Sequence, residues 1–158
     1  MLDHVEQKIV DDVGSTGWSI MAVAPRAESD DPEEWFAYTI GLQKTFGWPE
    51  IICFGQATDM MARMLNHAVE ELRERHLEPV AGIELTEVLD DYPTRLTPNK
   101  NIPFNYLGFA NWFAGHAGMA NLPERLQLVW PDMDGRFPDD PNCNPDVVEL
   151  QTPVGTGR

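Results

Sequence analysis

Residues 35–55 read Trp-Phe-Ala-Tyr-Thr-Ile-Gly-Leu-Gln-Lys-Thr-Phe-Gly-Trp-Pro-Glu-Ile-Ile-Cys-Phe-Gly, and this stretch decides the fold class. Its two ends are dense in aromatic and β-branched residues, which suit a pleated and well-buried surface. Its middle is rich in residues that favour turns. We therefore predict strands over residues 35–42 and 51–55, joined by a turn-rich segment over residues 43–50.

The segment after the second strand has the periodicity of an amphipathic helix over residues 58–76, with Thr58 as the predicted N-cap. We expect the apolar face of this helix to pack on the sheet that the two preceding strands form. The apolar face of this helix consists of Met61, Met64, Leu65, Ala68 and Leu72.

Further elements extend this centre in both directions along the chain. Residues 17–23 and 126–130 are predicted strands, and the first of them is expected to pair antiparallel with residues 35–42. Alternating apolar residues predict another strand over residues 80–88, and residues 104–113 are predicted to pass from a strand into a short helix.

The two ends of the chain differ in their patterns. Asp3 is a predicted N-cap for a short opening helix that Gly14 ends. The acidic residues 25–34 suggest a solvated hairpin loop, and the proline-rich residues 138–158 suggest a tail without regular elements.

The sequence thus predicts a single α+β domain over residues 1–158. Its expected form is an antiparallel or mixed sheet of five to six strands, with one main helix on one face and a short N-terminal helix. Within it, residues 1–14 form the N-terminal helix, residues 17–137 the core and residues 138–158 an irregular C-terminal tail.

The amino-acid composition argues against several classes of function. Eleven Lys and Arg against 26 Asp and Glu give a formal charge of −15, which repels phosphate backbones and anionic lipids. We therefore expect no direct nucleic-acid binding and no membrane association, with an unknown protein or small-molecule ligand as partner. The N-terminus lacks the pattern of a secretory signal, which favours a cytoplasmic protein. Cys53 and Cys143 are expected to be reduced thiols, and no spacing suggests a metal site or a cofactor.

Two motifs carry a family resemblance. The first is Phe-Ala-Tyr-Thr-Ile-Gly-Leu at 36–42 with Phe-Gly-Trp-Pro-Glu-Ile-Ile-Cys-Phe-Gly at 46–55, and the second is Leu-Gln-Leu-Val-Trp-Pro-Asp-Met-Asp-Gly-Arg-Phe-Pro at 126–138. Their order and separation resemble the bacterial domain-of-unknown-function family 4262 (DUF4262). The resemblance implies a small cytosolic bacterial domain and brings no activity with it. Asp139 and Asp140 stand where an aromatic residue is expected after the second motif.

The polar residues of these motifs form the candidate binding site. Glu50 begins a buried strand, where partial desolvation could raise its pKa into a range useful for proton transfer. A glutamate in this position more often pairs with an arginine, and we predict a structural ion pair between Glu50 and Arg136. Asp132 and Asp134 resemble the start of a calcium loop, but the glycine and glutamate positions that such a loop needs do not match, which favours a plain turn. The candidate residues are Tyr38, Thr39, Glu50, Trp130, Asp132 and Arg136.

Three functions remain open at this point. The first is a binding or regulatory domain without catalytic activity, indicated by the absence of any catalytic signature. The second is a small enzyme that uses the motif residues for acid/base chemistry, which requires Glu50 and Arg136 to lie closer than about 10 Å. The third is an acidic mimic of nucleic acid.

Overall fold

The computed structural model describes residues 1–24, 35–98, 102–120 and 124–152. These residues build one six-stranded sheet in the order β1-β2-β3-β6-β5-β4. Strands β3 and β6 are parallel and the other neighbours are antiparallel, so the sheet is mixed and the predicted α+β class is confirmed. The strands are β1 Ser19–Val23, β2 Phe36–Ile40, β3 Glu50–Phe54, β4 Glu84–Leu85, β5 Thr94–Pro98 and β6 Arg125–Val129.

Helices cover both faces of this sheet. Helix α3 packs on one face, and α1 and α4 pack on the other. Every residue of β3 is buried as a result, which is typical of a strand with helices on both sides. None of the helices within the described ranges has the length and hydropathy of a membrane-spanning segment. The helices are α1 His4–Thr16, α2 Leu42–Phe46, α3 Thr58–Glu74, α4 Gly108–His116 and α5 Pro145–Leu150, with a 3₁₀ turn at Phe104–Leu107.

The side chains of the central strands divide between two hydrophobic cores, one on each face of the sheet. Ala37 and Cys53 point towards α3, whereas Ile40, Ile52 and Phe54 point towards α1 and α4. This follows from the period of two along a strand, which sends successive side chains to opposite faces. The predicted antiparallel pairing of the first two strands is confirmed from Ser19–Ile40 onward.

The boundaries of α1 and α3 differ from the predicted ones, and α3 ends at Glu74 and not at residue 76. Asp3 is the N-cap of α1 as predicted and forms a capping box with Glu6, but the helix continues past Gly14 to Thr16, and Gly17 with a φ of +107° provides the left-handed C-cap. Thr58 is the first residue of α3 and not its N-cap, a position that Ala57 occupies without a side-chain hydrogen bond.

Four predicted strand or loop assignments were wrong. The strand expected over residues 80–88 is only β4, and β5 follows it in a segment for which no strand was predicted. Residues 104–107 form a 3₁₀ turn and not a strand, although the helix expected after them is present as α4. The short helices α2 and α5 occupy the predicted turn-rich segment and part of the predicted irregular tail. The hairpin loop predicted over residues 25–34 lies outside the described residues.

Tyr38 connects the sheet to α4 and gives a first testable prediction. Its side chain is 2% exposed, and its hydroxyl oxygen accepts a hydrogen bond from the Phe109 amide at 3.0 Å. Tyr38→Phe leaves that amide without its acceptor, so we expect it to lower the free energy of unfolding by about 1 kcal/mol in urea titrations. Tyr92→Phe is the control, because the Tyr92 hydroxyl bonds the Met133 carbonyl in an exposed position. Equal losses in the two variants would contradict the role given to Tyr38.

Candidate functional site

Glu50 is a buried carboxylate at the point where β2 and β3 diverge. Glu50 is 1% exposed. The regular pairing of the two strands ends at Tyr38 and Ile52, so Thr39 and Ile51 are the first residues beyond it. There the Thr39 hydroxyl donates to Glu50 Oε1 at 2.8 Å and accepts the Ile51 amide at 2.9 Å. The two side chains thus replace the missing backbone hydrogen bonds of the ladder.

The same carboxylate holds the beginning of α2. A helix leaves its first amides without intrahelical acceptors, and these donors need partners when they are buried. Glu50 accepts hydrogen bonds from three of them, the amides of Gly41 at 3.2 Å, Leu42 at 3.2 Å and Gln43 at 3.4 Å. Burial raises the pKa of Glu50 to about 7, because the loss of solvation outweighs the hydrogen bonds from Thr39 and from these amides.

Close packing then fixes α2 against α1. Gly41 has a φ of +97°, and a Cβ at this position would lie 2.7 Å from the Val13 side chain. The absent side chain therefore lets α1 approach the first turn of α2. At the other end of α2 the Thr45 hydroxyl donates to the Gly17 carbonyl at 2.6 Å. Lys44, between these two anchors, is held beside α1.

The space between α1, α2 and α4 is a crevice of about 380 Å³, which we call the α1–α4 crevice. Four of its eight lining residues have apolar side chains, from α1, α4 and the residue after α4, and Lys44 and His116 are its basic residues. The imidazole of His116 stacks on Trp112 with ring centroids 5.1 Å apart and an interplanar angle of 16°. The lining consists of Val10, Val13, Gly14, Lys44, Thr45, Phe113, His116 and Ala117.

The second motif forms a loop that Asp132 organises. One carboxylate oxygen accepts the amides of Asp134 and Arg136 at 3.0 and 2.9 Å, and the other accepts the amide of Asn144 at 2.9 Å. The backbone hydrogen bond from Arg136, with those from Asn144 and Asp134, holds the pKa of Asp132 below its ordinary value. The Arg136 guanidinium lies 3.5 Å from Asp134 on the exposed side of the loop.

Trp130 joins this loop to the rest of the sheet. Its indole N–H donates to the Phe54 carbonyl at 2.9 Å, across the end of β3. The Gln151 side chain accepts the Trp130 amide at 2.9 Å and donates to the Trp130 carbonyl at 2.7 Å, which attaches the end of α5 to β6. Trp130 therefore contributes to the fold through its backbone as well as through its ring.

The six predicted site residues fall into two groups. Tyr38, Thr39 and Glu50 lie in β2 and at the beginning of β3, and Glu50 is in register with Arg125 at the beginning of β6. Trp130, Asp132 and Arg136 follow the other end of β6. The five steps along the chain from Arg125 to Trp130, at about 3.3 Å each, place Glu50 roughly 17 Å from Trp130 along the strand direction.

The predicted ion pair of Glu50 with Arg136 is therefore wrong. Each of these side chains has other partners, because the fold brings backbone amides to Glu50 and brings Asp134 to Arg136. Whether residues of either group bind a ligand stays a prediction.

Metal and thiol chemistry find no support among the residues that the structure describes. No group of three or more His, Cys, Asp or Glu side chains within these ranges is arranged to hold a metal ion. Both cysteines are free and buried, and burial raises the pKa of Cys53 to about 12. A thiol with such a pKa is a poor nucleophile at neutral pH.

Sequence reasoning missed two polar residues that the structure makes important. Lys44 belongs to the segment that was predicted as turn-rich. The only local signal for the short helix α2 is the pair of glycines, Gly41 and Gly47, that cap its two ends. Glu71 was expected nowhere in the core, yet it is 1% exposed and accepts the amides of Thr86 and Glu87 at 3.0 and 2.7 Å. No local signal indicates such a role, because the two amides come from a distant loop.

The fold and the crevice define a small mixed-sheet α+β domain with helices on both faces and a crevice between three helices. The chain belongs to the family described as domain of unknown function (DUF4262), whose model matches residues 12–144. This confirms the family resemblance of the two motifs. The match includes all six strands and every residue that lines the α1–α4 crevice except Val10. Comparisons with the curated proteins and with the solved structures gave no match.

Proposed function

We propose that this protein is a binding domain without catalytic activity, and that a small molecule occupies the α1–α4 crevice. The observation that carries the proposal is the crevice itself, which lies between three helices and is lined by apolar side chains together with the polar ones of Lys44, Thr45 and His116. Small-molecule sites have this composition, and about 380 Å³ lies in the lower part of their usual range of roughly 300–1,000 Å³.

The hydrogen bonds of the motif carboxylates support the absence of catalysis. Glu50 and Asp132 each accept hydrogen bonds from three backbone amides, so both carboxylates stabilise the backbone around them. A general acid or base has to reach the substrate within hydrogen-bond distance. Glu50 is 1% exposed, and it is far from Asp132 and Arg136. The acid/base alternative therefore has less support than the binding function.

We also propose the bacterial cytosol as the place where the domain works. Two free thiols within the described chain suit a reducing compartment, where disulfides are rare. The strongly negative charge favours a soluble protein that avoids nucleic acid and anionic lipids.

The binding proposal is tested by filling the crevice. Gly14 lines it, and a Cβ at this position would have no heavy atom within 4 Å, so Gly14→Leu places a side chain in open space. We expect the wild type to bind the neutral fluorophore Nile red saturably at a ratio of one to one. Gly14→Leu should weaken this binding at least about tenfold, since the leucine takes the space of the ligand.

Gly115→Leu is the matched control for this test. Gly115 also lies in a helix, and a Cβ added there would also have no heavy atom within 4 Å, but Gly115 is not part of the crevice lining. Both changes add helix propensity of about 1 kcal/mol, so neither is expected to disturb folding. No saturable binding by the wild type, or equal weakening in the two variants, would refute the proposal.

A further inference from the structure

We propose that the ligand of the α1–α4 crevice is a small organic carboxylate with an apolar body, bound through Lys44. This inference rests on the proposed function and adds the chemical class of the ligand. It follows from the charge of the crevice, whose described lining contains Lys44 and His116 and no acidic residue.

Such a lining is unusual for this chain, which has 26 acidic residues and 11 Lys and Arg. Three other surface pockets within the described ranges are each lined by at least one carboxylate, which disfavours the binding of an anion. Their acidic residues are Asp140 and Glu149 in the first, Glu124 in the second, and Glu70 and Glu74 in the third.

The acids nearest in sequence to the crevice residues of α1 have other partners. Asp11 accepts a hydrogen bond from Gln7 at 2.9 Å. Asp12 is paired with Lys8 at 2.6 Å and also accepts the Ser19 hydroxyl at 2.8 Å. Lys44, in contrast, takes part in none of the ion pairs found within the described ranges. Its ammonium group is therefore available to an anion that enters the crevice.

The backbone around Lys44 is fixed before any ligand arrives. Glu50 accepts the amides at the beginning of α2, and Thr45 bonds the Gly17 carbonyl. His116, the other basic residue of the lining, stacks on Trp112, and its ring N–H can donate a hydrogen bond to a ligand. A carboxylate has two oxygens for such donors, and charged hydrogen bonds are the stronger ones.

The lining residues other than Lys44 and His116 indicate that part of the ligand is apolar. Val10 and Val13 lie one helical turn apart on α1, and Phe113 and Ala117 lie four residues apart along α4 and the residue after it. These side chains offer a hydrocarbon surface to an aliphatic or aromatic body. The crevice thus combines apolar side chains with two basic ones.

Two probes with the same aromatic ring test the charge preference by calorimetry on the full chain. They are 1-naphthylacetate and 2-(1-naphthyl)ethanol, which differ in the carboxylate. We expect the wild type to bind the carboxylate about five to ten times more tightly than the alcohol, a modest factor because Lys44 is exposed to solvent. Lys44→Gln should bring the ratio to about one, because it weakens binding of the carboxylate much more than binding of the alcohol.

Lys8→Gln is the matched control, since it removes one positive charge from α1 outside the crevice lining and should keep the ratio. Equal wild-type affinities for the two probes would overturn the carboxylate proposal, and so would a ratio that survives Lys44→Gln. Failure of both naphthyl probes while Nile red still binds would overturn it as well, without affecting the proposed function. Absence of Nile red binding would overturn both.

Discussion

Gly55→Ala is expected to lower the free energy of unfolding by about 2–4 kcal/mol and to detach α5 from the sheet. Gly55 has a φ of +88°, a conformation that alanine adopts only with strain. A Cβ there would also lie 2.7 Å from the Leu150 carbonyl oxygen and 2.8 Å from Leu150 Cβ. The obstacle belongs mainly to the backbone of α5, so the contact is relieved only if the helix moves. Such a movement would strain the hydrogen bonds between Gln151 and Trp130.

Gly82→Ala separates the two contributions. Gly82 has a φ of +92°, close to that of Gly55, but a Cβ there would meet no heavy atom within 4 Å. This variant therefore carries the backbone strain alone, and we expect it to lose about 1–2 kcal/mol. The measurement is guanidinium unfolding followed by tryptophan fluorescence, with limited proteolysis to detect release of α5. Equal losses in the two variants would show that the approach of α5 to Gly55 is not close in solution.

The second large effect is a pH dependence that comes from Glu50. Burial raises the pKa of Glu50 from its ordinary value of 4.5 to about 7 in the folded protein. The folded state therefore binds the proton more tightly than the unfolded state does. The stability that this proton provides is fully present below pH 4.5 and is lost as the pH rises through 7. A difference of this size corresponds to about 3 kcal/mol.

Glu50→Gln removes this dependence, because the carboxamide does not titrate. We expect the difference in unfolding free energy between the wild type and the variant to change by about 3 kcal/mol from pH 4.5 to pH 8, in favour of the variant at the higher pH. Asp12 and Asp132 have lowered pKa values and act with the opposite sign at more acidic pH, but they are present in both proteins and cancel in the difference. Glu78→Gln, at an exposed position, is the control and should give a constant difference. A Glu50→Gln difference that does not vary with pH would contradict the raised pKa.

The crevice was beyond sequence reasoning because each of its sides comes from a separate segment. Val13 lies in the predicted opening helix, and Phe113 lies at the end of the segment that was predicted to pass into a short helix. Nothing in their spacing indicated that α1 and α4 lie beside α2. That arrangement depends on the missing side chain of Gly41, which allows contact with Val13.

The amino-acid sequence by itself determined the α+β class, the antiparallel pair β1 and β2, the buried strand β3, the capped helix α1 and the amphipathic helix α3. These features follow from apolar periodicity and from capping residues, which act between near neighbours in the chain. Only the tertiary structure decided the mixed order of the sheet, the short helices α2 and α5 and the role of Glu50. A helix of five or six residues is not stable alone, because nucleation is unfavourable and few hydrogen bonds follow it. Helix α2 exists where it does because a buried carboxylate from the next strand accepts its first amides, and α5 because Gln151 pairs with Trp130 at the end of β6.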